Sequence, residues 1–259
     1  MRLHFLGTGT SFGVPVLGCD CPTCTSADPR DHRTRHAALL EGDDGRRLLI
    51  DTPPELRLQL LRARIASIDA VWFTHAHADH THGIDDLRAF SIHAEHPIDA
   101  LAGPECAPLL LRKFPYIFDP DHHPIPGTSR PDIRLRTVRH REPTRAAGFD
   151  LLPLAVPPAD QPSYGFRTGP LGYIADAKTI PPDVEEALRG VRVLVLNALW
   201  FGPPHPTHLT IPEAIEIARR IGARTTYLTH LTHRARHAEL LAALPEHIRP
   251  AHDGLTLDL

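Results

Sequence analysis

Apolar residues fall along this chain in short runs, cut by Gly, Pro and acidic turns, which is how strands buried in a sheet are written. Residues 3–7, 37–40, 47–50, 68–73, 97–102, 133–138, 148–156, 164–168, 171–175, 191–196 and 225–228 read as strands. Between them, residues 55–64, 81–90, 105–114, 182–189 and 212–221 carry helical spacing. The last is the clearest, with Ala214, Ile215, Ala218 and Ile221 on one side and Gly222 as its stop. Residues 116–131 are rich in proline and histidine, and His122 and His123 sit there as a solvated loop. Strands alternating with helices predict a single α/β domain over residues 1–259, with its functional side chains presented on one rim.

Several predicted strands end in the same chemistry. Directly after residues 68–73 come His75, His77, Asp79 and His80, in the loop where the strand runs out. Neutral imidazole and carboxylate are ligands for zinc, manganese or iron, and this spacing can divide them between two neighbouring ions. Asp51, Asp176 and His230 also stand just past strand ends. Asp51 and Asp176 are each open to a capping role as well as to one at the metals. Near the N-terminus, Cys19, Cys21 and Cys24 follow the pattern C-x-C-x2-C inside a loop spanning about residues 13–30. Three thiolates at that spacing suit a tetrahedral structural zinc, and His233, three residues beyond His230, is the proposed fourth ligand. Such an ion would staple the N-terminal loop to the loop that carries His230.

Composition narrows the picture only a little. The chain has 259 residues, 42% hydrophobic and 23% charged, with a formal charge of −3; its pI near 6.7 speaks against a general nucleic-acid binder. Positive charge is nearly all arginine, with Lys113 and Lys178 the only lysines. No run approaches the ~18–20 apolar residues of a membrane span. The apolar start at Leu3 to Gly7 is too short for a signal peptide, so a cytoplasmic address is expected. A homodimer is left open. The glycines at Gly7, Gly9 and Gly13 read equally as a phosphate cradle or as tight turns.

The H-x-H-x-D-H spacing after a strand resembles the metallo-β-lactamase superfamily. With Gly7-Thr8-Gly9, Gly13-Val14-Pro15, the three cysteines, and His230 with His233, the chain looks closest to the phosphodiesterase that opens phosphoribosyl 1,2-cyclic phosphate. That resemblance implies two mixed β-sheets sandwiched between helices (an αβ/βα sandwich) and a two-ion centre of manganese or zinc beside the structural zinc. One ion would be held by Asp79, His80, Asp176 and His230, the other by His75 and His77 with Asp176 shared between them. His208 and Asp79 are then the candidate catalytic residues, His208 protonating the leaving oxygen with His205 as its substitute. Asp51 would buttress the metal loop. The expected reaction is hydrolysis of a small cyclic phosphodiester. A tRNA 3′-processing nuclease, a thioester or lactone hydrolase and a non-catalytic or single-ion member of the fold are the alternatives. One departure stands out: the family places a histidine ligand between residues 156 and 164, where this chain has Pro157, Pro158, Ala159 and Asp160. Either Asp160 serves there or that ion position is weakened.

Overall fold

The computed structural model describes residues 1–92, 96–157 and 161–259. Six strands open the fold: Arg2–Gly7 (β1), Ala37–Glu41 (β2), Arg47–Ile50 (β3), Ala70–Phe73 (β4), Ile98–Ala102 (β5) and Ile133–Thr137 (β6). Seven more follow as Thr144–Ala146 (β7), Phe149–Val156 (β8), Ser163–Thr168 (β9), Leu171–Ile174 (β10), Val193–Asn197 (β11), Thr225–Thr229 (β12) and Ile248–Pro250 (β13). The last strand, Thr256–Asp258 (β14), returns to the outer edge of β1. Two seven-stranded sheets result, ordered β14-β1-β2-β3-β4-β5-β6 and β13-β12-β11-β10-β9-β8-β7.

Both sheets are mixed. β3 through β6 run parallel, as do β10 through β13, while the remaining pairs are antiparallel. Side-chain alternation then sorts the core into layers. Leu48 and Ile50 of β3 and Trp72 of β4 face Phe166, Tyr173 and Val195 of the other sheet. Leu49, Val71 and Phe73 point the opposite way, under the helices Leu56–Ala63 (α1) and, beyond two short turns described below, Cys106–Lys113 (α4). On the far side of the second sheet, Leu194, Leu196 and Leu228 pack beneath Pro182–Leu188 (α6) and Ile211–Ile221 (α7). Trp72 also ties the sheets by donating its indole N–H to the Tyr164 carbonyl at 2.8 Å. The result is the α/β sandwich expected from the sequence.

Several sequence expectations are corrected by tertiary contacts. The helix expected over residues 81–90 is broken into Ala78–Thr81 (α2), a 3-10 turn at Ile84–Leu87 and Arg88–Ser91 (α3). Gly83 is the cause: its N–H donates to the Thr52 carbonyl at 2.8 Å, and a Cβ there would collide with the Pro53 carbonyl. Asp79 and His80 therefore stand in a helical turn rather than in a loop. The Gly7 and Gly9 pair is no open phosphate cradle, because a Cβ at either would strike the carbonyls of Arg35 or Arg33. Those glycines let two backbone segments touch. Residues 116–131 begin with the short helix Pro115–Phe118 (α5), although His122 and His123 are exposed beyond it. The helix His237–Ala243 (α8) and strands β7, β13 and β14 have too few residues to show a period. Among the described residues no helix is long and apolar enough to cross a membrane.

Candidate metal centre

Because β3, β4, β10 and β12 run with their C-terminal ends toward the same rim, the residues just past those ends converge there. Asp51 and His230 take left-handed backbone conformations, with φ of 61° and 59°. For residues with a Cβ this geometry costs on the order of 1–3 kcal/mol. It turns each side chain sharply off its strand and into the cleft.

Three sets of ligand-type atoms line the rim, and Asp176 belongs to two of them. His75, His77 and Asp176 form one, and Asp79, His80 and His230 another; Asp176, His208 and His230 make a third that links them, each set with its atoms within 4.8 Å of one another. His75 Nε2 lies 2.8 Å from His77 Nδ1 and 3.4 Å from Asp176 Oδ2. The other carboxylate oxygen, Oδ1, is 3.1 Å from His208 Nε2. Asp176 thus faces both sides of the cleft. Asp79 Oδ2 is 3.4 Å from His80 Nε2.

Burial decides what these groups can do. Both ring nitrogens of His230 are buried with no hydrogen-bond partner among the described residues, and His80 Nε2 has the Asp79 carboxylate at 3.4 Å. A buried nitrogen without a partner costs on the order of 1–3 kcal/mol, and a cation lined by Asp79 would satisfy His80 and His230 together. The donor set (imidazole and carboxylate in a closed corner) fits a zinc, manganese or iron ion. Burial also drives His230 down to about 4, despite the nearby Asp176 carboxylate. His75 is held well below its ordinary value by the same cause. Both rings are therefore neutral at pH 7 and have lone pairs to give. Burial opposes ionisation of Asp176, but the His208 hydrogen bond and surrounding imidazoles override it and hold the carboxyl well below the usual range.

Beneath the cleft, Asp51 is fully buried. It accepts from the Thr74 N–H and hydroxyl, both at 2.8 Å, and sits 2.7 Å from His80 Nδ1. That contact would keep the proton on Nδ1 and leave Nε2 to a bound cation. Asp51→Asn replaces one acceptor oxygen with an amide that cannot accept from Thr74 or His80. The expected result is a roughly 10–100-fold loss of metal affinity, read by competition with a fluorescent chelator. Affinity within twofold of the parent would refute this role for Asp51.

The second cluster lies close by. His233 Nδ1 is 3.4, 3.4 and 3.5 Å from the sulfurs of Cys19, Cys21 and Cys24. A tetrahedral zinc with bonds of ~2.3 Å to sulfur and ~2.0–2.1 Å to nitrogen sets S···N edges of ~3.6 Å, so the four atoms already stand at the spacing of such a site.

Of the remaining sequence candidates, His208 reaches Asp176. His205 instead contacts Thr207, with its ring 5.2 Å from His208. Asp160 and Pro158 lie outside the described residues. Sequence reading passed over three positions. His36 is wholly buried behind the centre, with Nε2 3.0 Å from the Tyr173 hydroxyl and Nδ1 3.3 Å from the Thr229 hydroxyl. Asn197 clamps both the N–H and the carbonyl of Ala177 at 3.0 Å. Lys178 lines the cleft with His75, His77, Asp176 and His208. Only Lys178 left a signal in the sequence, as a lysine two residues past Asp176.

Comparison with known proteins agrees with this geometry. Residues 46–231 match a beta-lactamase superfamily domain. A Porphyromonas gingivalis protein named octanoyltransferase is 39% identical over 98% of this chain, and the chain spans 51% of that relative's length. A crystal structure titled as a new diphosphatase from the PhnP family superposes with a TM-score of 0.90 at 38% identity, covering 100% of this chain and 97% of that one. The zinc-bound PqqB structure from Methylobacterium extorquens covers both chains fully with a TM-score of 0.82. At 18% identity, that likeness speaks to fold alone.

Proposed function

The chain belongs to the beta-lactamase superfamily, and from that premise we propose that it is a metal-dependent hydrolase whose substrate is a small phosphodiester. Phosphoribosyl 1,2-cyclic phosphate is the leading candidate within this class. The single observation that carries the proposal is Asp176, whose two oxygens face ligand sets on either side of it. A phosphodiester brings negative charge to its own attacker, and a paired centre answers that repulsion. Divalent ions bound there would supply Lewis acidity and neutralise charge on the phosphate oxygens.

The chain's own residues do the rest. His208 is partly exposed at the cleft wall, with Nδ1 2.6 Å from the Thr207 hydroxyl and Nε2 beside Asp176. Each ring nitrogen thus has an oxygen within hydrogen-bond reach, and Nε2 stands where a proton can pass to the departing oxygen. Its ring stacks on His230 at 4.9 Å and 16° between planes, which limits rotation away from that direction. Asp79 fixes His80 and His230 into one corner, and Asp51 holds that corner from below. The cleft over these groups is also lined by Lys178, Gln161 and Ser163.

A second reading has its own support. The PhnP-family neighbour at 38% identity is titled a diphosphatase, so a diphosphate ester is the alternative substrate. The same residues would serve either bond, since both leave a negatively charged oxygen that needs a proton or a cation.

The testing experiment is hydrolysis of bis-p-nitrophenyl phosphate. Turnover is expected to stop with chelator and return with manganese or zinc. No turnover under saturating metal would overturn the phosphodiesterase reading.

A further inference from the structure

We propose that Lys178 is a specificity residue that receives a second phosphate of the substrate, beside the one under attack. The inference rests on the reading of the cleft as a phosphate site.

The chain uses two lysines against 26 arginines, and Lys178 is one of them. It stands in the wall of the cleft formed by His75, His77, Asp176 and His208. Few lysines have their approach so firmly built. The backbone immediately before it is clamped: Asn197 accepts from the Ala177 N–H and donates to the Ala177 carbonyl, and Leu209 N–H donates to that same carbonyl at 3.0 Å. The far end is held as well. Lys178 Nζ donates to Glu213 Oε1 at 2.7 Å, and Glu213 Oε2 is itself fixed by the N–H and hydroxyl of Thr210 at 2.7 and 2.8 Å. Those contacts form the capping box of α7. Asp176 and Lys178 are therefore presented by one rigid segment, two residues apart.

An ammonium has three N–H donors, and Glu213 takes one. The lysine side chain is 23% exposed, and Lys178 borders both this cleft and the neighbouring cavity in which Glu213 lies, so it stands between its anchor and the cleft. A compact point charge of this kind binds phosphate without the planar, two-pronged geometry that arginine requires. The Glu213 carboxylate does not cancel this role. It sets where the charge stands, because moving Lys178 would give up the 2.7 Å contact to Glu213 Oε1. The chemical class implied is a substrate with two phosphates, either joined as a diphosphate or carried apart on one small sugar.

The metal-loaded protein, Lys178→Met and Lys178→Arg can be titrated calorimetrically with methyl phosphate, methyl diphosphate and ribose 1,5-bisphosphate in metal-buffered solution. The parent is expected to bind at least one doubly phosphorylated probe roughly tenfold more tightly than methyl phosphate. Lys178→Met is expected to erase that preference, and Lys178→Arg to restore part of it. Methyl diphosphate showing the preference identifies a joined pair, and ribose 1,5-bisphosphate a separated one. Equal weakening toward all three probes, or no preference in the parent, overturns the proposal. The preference is read from binding alone, so an inactive enzyme that keeps it would sink the phosphodiesterase reading while leaving this one standing.

Discussion

Asp176→Asn is expected to lower phosphodiester turnover by roughly three orders of magnitude, the largest effect of any single change in the cleft. The substitution keeps shape and volume but removes the negative charge and one of two acceptor oxygens. Those oxygens lie 3.4 Å from His75 Nε2 and 3.1 Å from His208 Nε2. With an amide in place, the two ligand sets no longer share a group that can face both. A centre that stabilises charge on phosphate is worth several kcal/mol, and each ~1.4 kcal/mol is tenfold in rate. His208 also loses the acceptor that aims its Nε2 proton. The check pairs kcat on bis-p-nitrophenyl phosphate with metal content by mass spectrometry. Turnover within tenfold of the parent would show that the two sets do not work through Asp176.

Next in size is the effect of opening the cysteine cluster. Cys21→Ser is expected to release about one zinc per chain and to lower the melting temperature by roughly 10 °C. Charge is the reason a cation would suit this cluster. A backbone hydrogen bond from Cys24, with the neighbouring sulfurs and His233, draws the Cys21 thiol down to about 6. Burial meanwhile pushes Cys24 up to about 11. Without a cation, one thiolate forms easily and a second beside it does not, whereas zinc allows all three sulfurs to ionise. The loss is expected to reach the cleft through the segment joining His230 to His233. That segment is also tied by the Leu231 N–H to the Thr8 carbonyl at 2.9 Å, by the Thr232 hydroxyl to the Leu199 carbonyl at 3.0 Å and by the buried Arg33, which donates to the Thr232 carbonyl and, at 3.2 Å, to that of Ala235. Calorimetry and zinc analysis on Cys21→Ser decide the matter. A variant that keeps both its melting temperature and its zinc would show that the four side chains hold no structural ion.

Much of this protein was legible before any coordinates. Strands betray themselves where runs are short, β-branched and bounded by turn residues, as from Ala70 to Phe73 and from Val193 to Asn197. The metal-type residues were legible for a related reason: His75, His77, Asp79 and His80 are clustered in sequence and follow a strand. The partner of the cysteines, His233, could be found because only three residues separate it from His230. Local grammar fails where a contact between distant segments overrides it. The break of the 81–90 helix lies in Gly83 meeting Pro53, and no window around residue 83 contains residue 53.

Sequence alone thus determined the α/β class, the strand-end placement of the ligand-type side chains and the local grouping of His75, His77, Asp79 and His80 and of the three cysteines. Those properties follow from period and spacing, which a linear chain records. Tertiary structure decided the rest. It brought Asp176 between His75 and His208, and placed Asp51 under His80. It buried His36 beside Tyr173 and set Lys178 in the cleft wall with its ammonium anchored to α7. The physical reason is that parallel strands fix only the rim on which their ends appear. Which side chains touch across that rim depends on sheet twist, on left-handed residues such as Asp51 and His230, and on close backbone approaches, all set by segments far apart in sequence.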